Sequence, residues 1–170
     1  MEKIITGKAH VFGNNIDTDQ ICPGRYLELT DPDEIAIHCL EGARPSFVSE
    51  FEKGDIVVGG TNFGCGSSRE HAAIALKSIG ASAVLAKSFA RIFYRNAINL
   101  GLTVVVCPDL DDLCLYGGEV LTADIEKGTV SGTDTQISCE PISDYALEIL
   151  RHGGIINMIK ARRYETGAAF

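Results

Sequence analysis

The chain has 170 residues, 45% of them hydrophobic and 22% charged, with a formal net charge of -8. That length and balance suit one globular domain, residues 1–170, with an ordinary buried core. The acidic excess argues against a general nucleic-acid binder, which carries a basic face, but leaves room for a locally positive pocket and an anionic ligand.

Residues 3 to 12 read as a strand that ends at Gly13-Asn14-Asn15. Residues 16 to 24 read as a loop, because the side chains of Asp17, Thr18 and Asp19 can bond their own backbone in a turn. Thr30 or Asp31 then caps a helix with Pro32 in its first position. Ile35, Ile37, Cys39 and Leu40 supply its apolar side, and Gly42 ends it. Residues 43 to 54, interrupted by Pro45 and Gly54, read as irregular or briefly helical. A buried strand over 55–59 leads through a glycine turn into a helix from 68 to 79, stopped by Gly80.

A strand over 83–86 follows, then a helix over 88–99 capped by Ser88, with Phe89, Ile92, Phe93, Asn96 and Ala97 at three- and four-residue spacing. Gly101 ends that helix before a strand over 102–106. Strand, helix, strand, helix, strand predicts a parallel βαβαβ core, hence an α/β class. Beyond it, 120–125 and 129–130 around Glu126-Lys127-Gly128 read as a β-hairpin, and 136–139 as another short strand. Ser143 or Asp144 opens a last helix through Leu150, Gly153-Gly154 breaks it, and the basic tail Ala161-Arg162-Arg163-Tyr164 is expected to fray.

The chemistry concentrates in Gly64-Cys65-Gly66-Ser67-Ser68-Arg69-Glu70-His71-Ala72. The two glycines permit backbone angles that a Cβ forbids. Ser67 and Glu70 have the spacing of a capping box, which makes Ser67 the expected N-cap. First-turn amides and the positive helix end suit a carboxylate or phosphate, and Arg69 adds a planar fork. Each feature alone is what an ordinary helix start carries. Their density within six residues points to an anion-binding turn. A stand-alone phosphate-binding module is the reading from another class, but no Gly-x-Gly-x-x-Gly or Gly-Lys-Ser/Thr accompanies the turn.

The six cysteines show no Cys-x-x-Cys spacing and offer no self-contained zinc or iron–sulfur site, so they read mostly as small buried hydrophobes. Disulfides are a weak reading without a secretory signal, and Met1-Glu2-Lys3-Ile4-Ile5-Thr6-Gly7 lacks the apolar stretch of one. No apolar run is long enough to span a bilayer, so a cytoplasmic protein with no membrane partner is expected. A Cys65–His71 nucleophile is a minor alternative. His10, His38 and His152 read as ordinary surface or partly buried residues, and Arg91 and Arg95 as a solvated basic face or internal salt bridges.

Gly64 to Ala72 closely resembles the signature of the swivel domain of the aconitase superfamily. Ala86-Lys87-Ser88-Phe89-Ala90-Arg91-Ile92-Phe93 resembles that domain's second signature, and Asn15-Ile16-Asp17-Thr18-Asp19-Gln20-Ile21 its N-terminal motif. The matches lie in the family's order and cover nearly the whole chain, at the length of the family's free-standing small subunits of isopropylmalate-dehydratase, homoaconitase or dimethylmalate-dehydratase type. The resemblance implies a swivelling β/β/α domain. It also implies half of a hydro-lyase, which removes water from a 2- or 3-hydroxy dicarboxylate and adds it back at the neighbouring carbon. A [4Fe–4S] cluster would sit on a separate large iron–sulfur subunit and not on this chain.

By the same resemblance Ser67 is the catalytic base, Ser68 and Arg69 bind substrate carboxylates, and Asp19 belongs to the site. The loop Tyr26-Leu27-Glu28-Leu29, with Arg25 before it, would read the substrate's variable group. Homoaconitase-type loops carry an arginine where Glu28 stands, and isopropylmalate-type loops an apolar residue. Glu28 departs from both. Directed inward it would repel a third carboxylate or sit unpaired against an alkyl group. It is therefore expected to face solvent or pair with Arg25, with Leu27 or Leu29 toward an alkyl-substituted malate.

Overall fold

The computed structural model describes residues 3–166, so the ends of the expected 1–170 domain, 1–2 and 167–170, lie outside the described residues. Its strands are β1 (Ile4–Val11), β2 (Ile56–Gly59), β3 (Ala83–Ala86), β4 (Val104–Val106), β5 (Val120–Asp124), β6 (Thr129–Ser131) and β7 (Gln136–Ser138). They form one sheet in the order β4-β3-β2-β1-β5-β6-β7. Every residue of β2 and β3 is buried, which suits central strands of a parallel sheet covered by helices. β4, β3, β2 and β1 run parallel, and β5, β6 and β7 continue antiparallel from β1. β1 is thus the seam between the expected parallel core and the expected hairpin strands. The sheet also curls on itself: Glu140 N, just past β7, donates to Val106 O at 2.8 Å, at the end of the opposite edge strand.

The helices are α1 (Thr18–Ile21), α2 (Pro32–Ala36), α3 (Phe47–Glu50), α4 (His71–Ser78), α5 (Arg91–Leu100), α6 (Asp144–Arg151) and α7 (Ile155–Thr166). Several depart from the expected bounds. The 16–24 loop contains α1, because Asp17 and Gln20 form a capping box: Gln20 N donates to Asp17 Oδ1 at 2.8 Å and Asp17 N to Gln20 Oε1 at 3.0 Å. α2 starts as expected, with Asp31 as cap and Pro32 in its first turn, but stops at Ala36. The chain then turns to place Cys39 and Leu40 in the core, and Ile37, expected on the apolar side, is exposed.

α4 begins at His71 and not at 68, and the Ser67–Glu70 capping box does not form; Glu70 is the N-cap and makes no side-chain cap bond. α5 likewise begins at Arg91, and Ser88 does not cap it. The Ser88 hydroxyl instead accepts from Asn62 N at 2.8 Å. Ile92, expected on the inner face of α5, is exposed, while Phe93, Ala97 and Ile98 are buried. β4 opens at Val104, two residues later than expected. The basic tail does not fray: 161–164 lie inside α7, and Arg162 holds Glu148 of α6 at 2.7 Å. Among the described residues no helix is long and apolar enough to cross a membrane.

His10, expected at the surface or partly buried, lies within the core. Its ring is buried between Phe47 and Phe51, and its Nε2 lies 2.7 Å from Asp55 Oδ2. Asp55 also accepts from the amides of Lys8 and Glu52, and so ties β1 to the start of β2. Burial alone would raise the Asp55 pKa, but the hydrogen bonds from His10 and the Glu52 amide outweigh it and hold the carboxyl below its ordinary value. A depressed folded-state pKa contributes stability above the unfolded value of about 3.9, and that contribution is lost as pH falls through the folded value. Stability measured by urea unfolding should therefore decline below about pH 4, with a shallower slope in Asp55→Asn. Asp55→Ala, which orphans His10 and two amides, should cost about 1–3 kcal/mol at neutral pH. An unchanged acid slope in Asp55→Asn would contradict this assignment.

Candidate functional site

The turn that carries the sequence signature is clamped on both sides by backbone hydrogen bonds. On one side Gly64 N donates to Ile16 O at 2.7 Å and Thr18 N to Cys65 O at 2.8 Å. On the other Phe63 N donates to Ser88 O at 3.0 Å and Ala90 N to Phe63 O at 2.9 Å. The three matched segments therefore meet as neighbours: 15–21, 64–72 and 86–93. Gly64 has φ +78°, and a Cβ there would lie 2.2 Å from the Phe93 ring, so only glycine lets the turn close on that ring. Gly66 has φ +102° and sends the chain outward.

Ser67 and Ser68 emerge from the clamp exposed, and Arg69 is half-buried. Ser67 Oγ lies 3.4 Å from Thr18 Oγ1, the one side-chain contact recorded for it among the described residues. The amide N–H groups from Gly66 to Glu70 donate to no acceptor among the described residues. The donors available to a carboxylate are thus the amides of an open turn. The expected helix-end donors lie further along the chain, since α4 starts at His71.

Arg69 is anchored at one nitrogen. Its Nη1 donates to Asp19 Oδ1 at 2.8 Å, and the Gly24 amide donates to the same oxygen at 2.8 Å. The Arg69 hydrogen bond, then the Gly24 amide, hold the Asp19 carboxyl below the usual aspartate range. Nη2 and Nε of Arg69 donate to nothing among the described residues. One edge of the guanidinium is fixed and the rest is open for a carboxylate.

The loop after α1 is organised by a residue that the sequence pattern did not single out. Glu41 pairs with Arg25, accepts from Tyr26 Oη at 3.2 Å and lies 2.8 Å from His38 Nδ1. Tyr26 stacks on His38 with ring centroids 3.5 Å apart, and the Arg25 guanidinium covers the Tyr26 ring at 4.7 Å. Burial would raise the Glu41 carboxyl, but bonds from His38 and Tyr26 and the Arg25 charge hold it below its ordinary value. Arg25 therefore pairs with Glu41 and not with Glu28, and Glu28 is exposed in this chain. Leu27 and Leu29 are half-buried. His71 Nε2 lies 3.1 Å from Leu29 O and ties this loop to α4. The spacing His38-x-x-Glu41 was the available signal for the cluster, since side chains three apart on a helical turn are neighbours.

A cavity of about 620 Å³ between α5 and α6 contains none of Ser67, Ser68 or Arg69. The signature turn, from Gly66 to Ser68, is an exposed edge.

The family description "Aconitase C-terminal domain" matches residues 41–109. The 3-isopropylmalate dehydratase small subunit 1 of Methanopyrus kandleri is 51% identical over 162 residues, which cover 94% of this chain and 95% of that protein. The chain belongs to the 3-isopropylmalate dehydratase small-subunit family. A relative of this family, the methanogen homoaconitase small subunit of Methanothermobacter thermautotrophicus, is 50% identical over 92% of this chain and 91% of its own. The crystal structure of 3-isopropylmalate dehydratase from Methanocaldococcus jannaschii superposes with a TM-score of 0.92 at 46% identity, over 96% of this chain and 98% of that one. The small-subunit family thus has the curled mixed sheet described above.

Proposed function

We propose that this chain is the small subunit of a two-part hydro-lyase that interconverts 2- and 3-isopropylmalate by dehydration and rehydration, a reaction of leucine biosynthesis. The observation that carries the proposal is the exposed Ser67-Ser68-Arg69 edge, with Arg69 half-committed to Asp19 and half-open. The names of its relatives support a larger partner subunit.

Among the described residues no three His, Cys, Asp or Glu side chains converge on one point. These residues do not suit an iron–sulfur cluster, so in this proposal a [4Fe–4S] cluster belongs to the large subunit. There it would supply Lewis-acid assistance to the departing hydroxyl.

The contribution of this chain is binding and proton transfer. Arg69 Nη2 and Nε take one substrate carboxylate as a fork, with Ser68 Oγ and the turn amides on the remaining oxygens. Asp19 keeps Arg69 in plane but does not touch substrate. Ser67 Oγ removes the proton from the carbon beside a carboxylate. A serine is a weak base unless its alkoxide is stabilised. Here the unpaired amides from Gly66 to Glu70 and the Arg69 charge would do that, most strongly once a partner surface excludes water. The same groups meet the charge that builds on the carboxylate as the C–H bond breaks.

The loop argues for the alkyl substrate over the homoaconitase-type tricarboxylate. A third carboxylate needs a free cation, and Arg25 is already neutralised by Glu41. Leu27 and Leu29 remain for an isopropyl group, and 2,3-dimethylmalate is the next candidate.

Ser67→Ala in the assembled enzyme should lower kcat by about 10²–10⁴-fold. Because Ser67 caps no helix, its removal should leave stability within about 0.5 kcal/mol. Turnover near the parent value would assign the base to another residue. In the same assay kcat/KM should favour isopropylmalate over homocitrate and homoaconitate. Glu41→Gln, which releases Arg25, should raise the tricarboxylate ratio by about tenfold, the worth of roughly 1.4 kcal/mol. A parent enzyme that prefers tricarboxylates would overturn the loop assignment.

A further inference from the structure

We infer that Cys107 and Cys139 form a modification site, a dithiol that a low-molecular-weight disulfide converts reversibly to a disulfide stapling the two edges of the sheet. Cys107 follows β4 at one edge, and Cys139 follows β7 at the other. Their sulfurs lie 2.6 Å apart, against about 2.05 Å in a formed disulfide. The backbone already holds both residues in place. Cys107 N donates to Ala86 O at 2.8 Å, Cys139 N to Gly128 O at 2.8 Å, and Glu140 N to Val106 O at 2.8 Å. Bond formation closes the sulfur separation by only about half an ångström.

The two thiols differ in the way an attacking and a resolving cysteine differ. Cys139 is partly exposed and borders a cleft of about 450 Å³ with Gly128, Pro141 and Leu147. Cys107 is fully buried. The contact with Cys139, then burial, pushes the Cys107 thiol above its ordinary range, while the same contact lowers Cys139. Cys139 is therefore the sulfur that a reagent can reach, and Cys107 the one that can resolve.

The exchange balances with glutathione disulfide as oxidant. The Cys139 thiolate attacks one reagent sulfur, the reagent S–S bond breaks, and one glutathione leaves as thiolate. Cys107 then gives up its proton, its sulfur attacks Cys139 Sγ, and the second glutathione leaves. Two cysteine thiols are oxidised, and one glutathione disulfide is reduced to two glutathiones. The bridge links positions 32 apart, so it restrains the unfolded chain as well as the folded edges.

The test is incubation of the full chain with excess glutathione disulfide, followed by non-reducing peptide mapping and thermal unfolding. The expected product joins the Cys107 and Cys139 peptides with the loss of two hydrogens, leaving four of the six thiols free. Its Tm should rise by about 5–15 °C and return on addition of dithiothreitol. Cys139→Ser should show neither bridge nor rise, with Cys107 unmodified. A stable glutathione adduct on Cys139 beside a free Cys107, a bridge to another cysteine such as Cys114, or six unchanged thiols would overturn the inference. A Cys107–Cys139 bridge that left Tm unchanged would overturn the stapling of the edges.

Discussion

Everything at the candidate site depends on the backbone clamp around residues 63–66. Four hydrogen bonds between 2.7 and 3.0 Å lock this turn between the 16–18 segment and the 88–90 segment. The clamp uses main-chain atoms, so it demands little of the side chains except where two chains come too close for a Cβ. Gly64 is that place, pressed against Phe93, which in turn packs with Phe63 and Phe89. With the inner half of the turn fixed this way, the outer half from Gly66 to Arg69 is pushed out of the fold with its amides unpaired. Leaving donors unsatisfied is costly inside a protein but cheap at a wet surface. An exposed turn can therefore keep them for an anion that arrives together with a second protein surface.

The chain is acidic overall, yet the two arginines near this edge have opposite fates. Arg69 has one contact to Asp19 and keeps most of its fork. Arg25 is sandwiched over Tyr26 and paired with Glu41, itself held by His38. Arg69 keeps donors without a partner among the described residues, whereas the more exposed Arg25 carries a carboxylate partner. The proposed isopropylmalate, with a carboxylate toward Arg69 and an apolar group toward the loop, would suit that division. His71 joins the two halves by bonding the Leu29 carbonyl, so loop and turn keep their relative positions.

Much of the fold was legible because its signals are local. The all-apolar runs 56–59 and 83–86, the glycines at 80 and 101 with φ +92° and +81°, and the Ser143 cap all stand where the residue pattern put them. The misread elements are those where tertiary contacts outcompeted a local motif. Ser67 and Glu70 have capping-box spacing, but the clamp on Cys65 pulls the turn away and the helix waits until His71. Ser88 is used by Asn62 before it can cap α5. The role of β1 as the seam of a mixed sheet, the Arg25–Glu41 pair and the Cys107–Cys139 contact are long-range pairings with no short-range spacing to announce them. Of the site, the three signature segments were legible, but their meeting in space rests on backbone pairings between distant segments that no local pattern announces.

The most direct measurement is a crystal structure of this chain assembled with its large subunit and an unreactive isopropylmalate analogue. The account predicts one analogue carboxylate on the open edge of Arg69, with Asp19 still on Nη1. It also predicts Ser67 Oγ about 3–3.5 Å from the carbon that loses its proton, the separation of a near-attack geometry. An analogue held entirely by the partner, with the Ser67 turn still facing water, would contradict it.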